Sequence, residues 1–326
     1  MLQRELLERW RGRRAVTALT IYLSLLAAAL YGLYRLGVRL IGTMSDQGEL
    51  ALAGPALGRF LLENLLFLML TLVLFVVPGY AAAQLVGERE RRTLPLLQVT
   101  LLRPSEIVAG KLAAAIAWVA LLVVAVGPLA AATLMLGGVT VLDVVRSVGS
   151  IMATMIGVGG LALGISAISR RTATAVVLTY ATVLMLVVGT AIAAIVMTIV
   201  SPPVGAERWR PPLVLNLNPF YGLADAANAT NPAMATEVLP SPLGVISIAL
   251  PDSPAFEENV VEGPAGEQPA ASEQPAAHGR RSQPATWLTV AGAHLLLGAA
   301  GFALATSRLR HVYLRPSRRR SNGARA

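Results

Sequence analysis

The sequence contains no cysteine. That excludes disulfides, a thiolate nucleophile and any cysteine-ligated metal centre. Charge is also scarce: 14% of residues are Asp, Glu, Lys or Arg, whereas a soluble domain carries about 25%. The three histidines, His278, His294 and His311, lie far apart in the chain and suggest no metal site. A phosphate-binding loop needs Gly-x4-Gly-Lys-Ser/Thr. Gly110-Lys111 supplies only the middle of it, because Ser105 stands where the first glycine belongs and Leu112 where the hydroxyl belongs. No nucleotide site is therefore legible here, no internal repeat is visible, and no cofactor is expected on this chain.

Apolar sequence dominates instead. The 326 residues are 55% hydrophobic with a mean hydropathy of +0.63. This predicts an integral membrane protein, in which each span takes about 20 mostly apolar residues. Six runs qualify, at about 15–36, 57–84, 108–137, 147–168, 173–200 and 286–307. Ahead of them, residues 1–14 place Leu2, Leu6 and Trp10 on one helical face and Arg4, Glu5, Glu8 and Arg11 elsewhere, the pattern of an amphipathic interfacial helix. The run after it is too long for a cleavable signal core and is predicted to stay as the first span. The fold class is thus all-α, with six transmembrane helices.

Several features mark the spans. Pro78 and Gly79 predict a kink near the inner end of the second, and Pro128 interrupts the third. Gly157, Gly159, Gly160 and Gly164 make one side of the fourth small, and Gly160-x-x-x-Gly164 reads as a helix-packing motif. Glu63 and Asn64, near the outer end of the second, are possible path residues. A glutamate in that position more often reaches water. Residues 201–285 hold 14 of the 20 prolines. Within them Asn218-Pro219 predicts the start of a short surface helix over PFYGLADAAN. Residues 243–250 are too short to cross a membrane, and 252–284 read as disordered.

The formal net charge of +9 could suggest nucleic acid. The positions of the basic residues favour membrane orientation instead. Segments 1–14, 85–111, 170–171 and 308–326 hold 19 of the 27 Lys and Arg, so both termini are predicted to be cytosolic in a multi-pass cell-membrane protein.

One polar interruption organises the rest: residues 85–111, LVGERERRTLPLLQVTLLRPSEIVAGK. Glu88, Arg89, Glu90, Arg91 and Arg92 form an alternating charge block. Thr93 can cap a short helix that tolerates Pro95 in its first turn. Leu94, Leu96, Leu97, Leu101 and Leu102 give that helix an apolar side. Arg103 follows, and Pro104, Ser105 and Glu106 open the next helix. A short amphipathic helix held between two spans is a surface for something in the cytosol to dock on.

The acidic and basic block, then Thr93-Leu94-x-Leu96-Leu97, then Pro104-x-Glu106-Ile107-Val108-x-Gly110-Lys111, resembles the membrane subunits of type-2 ABC transporters. In that family the segment looks like the coupling helix that touches the ATP-binding subunit, and an Asn-Pro segment often precedes the last span. One position departs: the family usually has glycine before the threonine, and Arg92 stands here. The resemblance implies the permease of an ABC exporter, dimeric with itself or a related chain, with ATP on a separate partner subunit and no enzymatic activity of its own. Glu88, Arg89, Glu90, Arg92, Thr93, Leu94, Leu97, Arg103 and Glu106 would form the ATPase interface.

Two other classes fit the sequence less well. Gly164-x-Ser166 with His294 superficially resembles the intramembrane serine proteases of the rhomboid family. On the predicted topology, however, the two side chains differ in depth by about 15–20 Å, and a hydrogen bond needs about 3 Å. A secondary transporter or channel usually carries paired intramembrane charges or broken repeats, and apart from Glu63 the spans are almost free of charge.

Overall fold

The computed structural model describes residues 13–42, 53–91, 103–200, 212–228, 239, 241–247 and 286–313. Among the described residues every regular element is helical. Among the described residues six helices are long and apolar enough to cross a membrane. The first span is α1 (Arg13–Gly42) and the second α2 (Ala53–Glu90). The third is α3 (Pro104–Ala125) with α4 (Gly127–Met135), and the fourth α5 (Val141–Ile168). The fifth runs from α6 (Thr172–Leu184) through a π turn (Met185–Gly189) into α7 (Thr190–Val200). Two short helices follow, α8 (Pro219–Asn228) and α9 (Pro242–Ser247), and α10 (Thr286–Tyr313) is the sixth span. The interfacial helix predicted at the N-terminus falls outside the described residues up to residue 12, as does most of 201–285.

The core is built from α2 and α5, whose apolar side chains interlock along much of their length. Leu62, Leu66, Leu70, Val73 and Val77 of α2 meet Ile151, Met155 and Val158 of α5, with Val119 and Val123 of α3 beside them. α10 packs more extensively against α5 than any other pair of elements does. The predicted glycine motif explains why. A methyl group built on Gly160 would lie 2.5 Å from the carbonyl oxygen of Gly298, and one on Gly164 would lie 2.8 Å from the Cα of Gly301. The two backbones touch, which is possible only with hydrogen in place of a side chain.

The prolines act differently from one another. α2 continues as helix through Pro78. Proline has no N–H to give to the Leu74 carbonyl four residues back; at the neighbouring carbonyl, Phe75, the Tyr180 hydroxyl donates at 2.6 Å. Gly79 leaves the room: a methyl on it would sit 2.5 Å from the Tyr180 oxygen. The third span does break, at Val126, directly ahead of Gly127-Pro128. Gly137 and Gly138 take positive φ of 85° and 76°, which lets the chain turn tightly against Pro55 before α5 starts. There Thr140 and Asp143 form a reciprocal capping box, Thr140 N–H to Asp143 Oδ2 at 3.0 Å and Asp143 N–H to Thr140 Oγ1 at 3.3 Å.

α8 starts and ends where the sequence places it, but it is not a surface helix. Tyr221, Leu223, Ala224, Ala226, Ala227 and Asn228 are all buried. Its small residues, Gly222, Ala224, Ala226 and Ala227, let it nest on α5, α10 and α2; Gly222 lies against the Val290 side chain. Burial pushes the Tyr221 phenol well above its usual range.

Candidate functional site

Ala81 and Leu85 of α2, Val108 of α3, Ala167 of α5, and Ala305 and Leu309 of α10 share one apolar cluster. These segments therefore meet at one end of the bundle. That end also carries Arg89, Arg91, Arg103, Lys111, Arg170, Arg171, Arg308 and Arg310, and it is called the basic end below. α2 has 38 residues; at about 1.5 Å each it is roughly 57 Å long, well beyond an apolar membrane core of about 30 Å. Its last turns carry the charge block.

That block is tied into the protein's own framework. Glu88 pairs with Lys111 of α3, closing the two ends of the segment on each other. The Arg89 guanidinium donates to the carbonyls of Ser169, at 3.1 Å, and Ala167, at 3.2 Å. These carbonyls lie at the C-terminal end of α5, where unpaired acceptors and the helix dipole favour a cation. Glu90 does the converse at the start of α6: its carboxylate accepts the Thr172 N–H at 2.9 Å and the Thr172 hydroxyl at 2.6 Å, where an N-terminus favours an anion. Ser166 Oγ accepts the N–H groups of Leu85 and Val86, each at 3.2 Å, and so fastens the end of α5 to α2. At the far side of the segment, Glu106 accepts the Arg103 N–H at 2.9 Å and caps α3, with Pro104 in its first turn.

The structure thus brings Glu88, Arg89 and Glu90 together with Lys111 and the turn 167–172. Arg103 and Glu106 stand at the other flank. Arg92, Thr93, Leu94 and Leu97 lie outside the described residues. Sequence reasoning missed Ser169 and Thr172 as partners. Arg170 and Arg171 marked that turn as belonging to the same side of the membrane, but nothing in the spacing paired it with Glu90.

Glu63 and Asn64 sit at the opposite end. Rather than reaching water, Glu63 is 1% exposed. Arg59, one turn earlier, donates to it at 2.9 Å and also to Asn228 at the end of α8. Ser241, just ahead of α9, donates to the other carboxylate oxygen. A counter-charge at i−4 is what permits burial of this carboxylate. Asn64 donates to the Phe60 carbonyl of its own helix at 2.8 Å. Ser166 and His294 are not brought together. His294 lies against Gly157, and Ser166 is nine residues further along α5, about 13.5 Å at 1.5 Å per residue. The ring nitrogen Nδ1 of His294 faces the Val290 carbonyl at 2.8 Å.

A family model described as ABC-2 family transporter protein matches residues 66–243, more than half of the chain. The chain belongs to the ABC-2 transporter family. It is a multi-pass membrane subunit of an ABC transporter. The matched region takes in the charge block, spans three to five and the Asn218-Pro219 start of α8. No curated protein matches the sequence.

Proposed function

We propose that this ABC-2 subunit is the permease of an ATP-driven exporter in the cell membrane, with both termini in the cytosol. Two copies, or one copy and a related chain, form the translocation path between them. Two ATP-binding subunits dock on residues 85–111. ATP binding draws the docking segments together and switches the path from inward to outward access. ATP hydrolysis belongs to the partner, and this chain contributes no catalytic residue and no cofactor. The near absence of charge in the spans favours a hydrophobic or amphipathic cargo.

The observation that carries this reading is the mounting of the docking segment. Residues 92–102 connect α2 to α3, and the described ends on either side are anchored without a partner: by the Glu88–Lys111 pair, by Arg89 on the end of α5 and by Glu90 on the start of α6. A force applied to such a segment passes directly into four spans. Interface energy concentrates in a few buried anchors. Purification in mild detergent should therefore recover an ATPase with the wild-type chain, and Leu97→Asp should lose it at a cost of about 2 kcal/mol or more of docking. Full association and full ATPase activity in Leu97→Asp would refute the docking role. A wild-type preparation that transports with no ATPase present would support the secondary-transporter alternative.

A further inference from the structure

The fifth span is largely exposed, and polar contacts tie it to its neighbours at three places along its length. Of its 29 residues, Ala175, Thr179, Val183, Thr190 and Ala194 are the buried ones, while Val177, Leu184, Met185, Val188, Ile192 and Ile195 are exposed. Three polar contacts fix it. At the basic end, Glu90 holds both the N–H and the hydroxyl of Thr172. Midway, the Tyr180 hydroxyl holds the Phe75 carbonyl. Further along lies the π turn, which carries one residue more than a regular helical turn and misaligns its carbonyls. The Asn218 amide donates to the Val187 carbonyl at 2.9 Å and to Thr190 Oγ1 at 3.1 Å, and Thr190 donates to the Leu186 carbonyl at 2.6 Å. The Asn218 oxygen meanwhile caps α8 by accepting the Phe220 N–H at 3.0 Å.

These ties are unequal. Asn218 is buried, and its amide adds two bonds to the turn, where losing a buried partner is costly. The Glu90 contact is exposed to water and weaker. Yet Glu90 is the contact that joins the fifth span to the docking segment itself, and Ala82 and Val86 of the same α2 end pack on Ala175 just beyond it. The span is thus pinned firmly at its wide turn and held from outside at its basic end.

We propose that Glu90 is a positioning residue that transmits displacement of the docking segment to the fifth span, which swings about the π turn held by Asn218. This rests on the reading that an ATP-binding subunit docks on residues 85–111. The absence of native cysteine allows two spin labels to be placed cleanly, at Thr174→Cys and Ser307→Cys, both exposed positions on the fifth and sixth spans. In the permease alone, Glu90→Ala should broaden the distance distribution between the labels, Glu90→Gln should broaden it less because it keeps one acceptor oxygen, and Arg91→Ala should leave it unchanged. In the complex with the copurified ATPase, trapping with ATP and vanadate should shift the wild-type distance, and Glu90→Ala should lose that shift while the ATPase remains bound. An unbroadened distribution in Glu90→Ala, or a full nucleotide-driven shift in it, overturns the proposal. Failure of any ATPase to copurify with the wild type counts against the docking reading instead, and the permease-alone measurement still decides the tie.

Discussion

Glu63→Leu should be among the most damaging single changes in this protein, and Arg59→Met combined with Glu63→Leu far less so. Arg59 is 3% exposed and Glu63 1%. The guanidinium donates to the Glu63 carboxylate and to Asn228, and Ser241 donates to the second carboxylate oxygen. Leucine at 63 removes a buried carboxylate that compensates Arg59, and it takes an acceptor from Ser241. Breaking a buried pair on one side costs about 3–5 kcal/mol, whereas replacing both partners by apolar residues is often neutral or stabilising. Set against a total stability of roughly 5–15 kcal/mol, the single change takes a large fraction. Because Asn228 ends α8 and Ser241 precedes α9, the damage should centre on the docking of both short helices against α2. The assay is retention of the monodisperse species after a temperature series in detergent, comparing wild type, Glu63→Leu, Arg59→Met and the double variant. A Glu63→Leu protein as stable as wild type, or a double variant no better than the single, would refute the claim that this pair is buried and mutually compensating.

Gly160→Val should destabilise by about 1–3 kcal/mol or more through overpacking, since its Cβ would meet the Gly298 carbonyl at 2.5 Å, while Gly110→Ala, with nothing within 4 Å of the added carbon, serves as the tolerant control in the same thermal series. Asn218→Ala should cost about 1–3 kcal/mol by removing the amide that bonds Val187 and Thr190 and the oxygen that caps α8, read in the same series, with Asn218→Asp failing to restore it because the carboxylate cannot donate. A reporter active only outside the cytosol should work when fused near Gly266 and fail when fused after Arg325; activity at the C-terminal fusion would overturn the topology drawn from the basic residues.

The spans were legible because twenty-residue apolar runs have few other outcomes, and the glycine motif was legible because small residues at i and i+4 on one helix face invite a second backbone. What the sequence could not show depends on residues far apart in the chain. Pro78 and Pro128 carry the same local signal, yet α2 runs through the first and the third span breaks at the second. At Pro78 a tyrosine from the fifth span serves the loosened turn, and that tyrosine is 105 residues away. PFYGLADAAN was placed correctly as a helix from its Asn-Pro start, but its small residues read as a solvated surface rather than as a means of nesting between spans. The burial of Glu63 is hidden in the sequence because it depends on Ser241 and, through Arg59, on Asn228, which lie far along the chain. The π turn left no mark in the pattern at all, since Asn218, which serves it, lies 31 residues from Val187.

On the proposed docking reading, one short sequence serves two surfaces. Glu88, Arg89 and Glu90 are each engaged within the chain, with Lys111, the end of α5 and the start of α6. The described cations left exposed beside the docking segment are Arg91 and Arg103, with Arg170 and Arg171 on the adjoining turn. On the proposed docking reading, the rim offered to an ATP-binding subunit is therefore basic rather than alternating, and a complementary partner presents acids around an apolar groove. Rim charges set association rate and salt dependence more than affinity, so the leucines of 94–102 carry the binding and the arginines orient it. Glu88 and Glu90, both bonded within the chain, would hold the segment to the spans it moves.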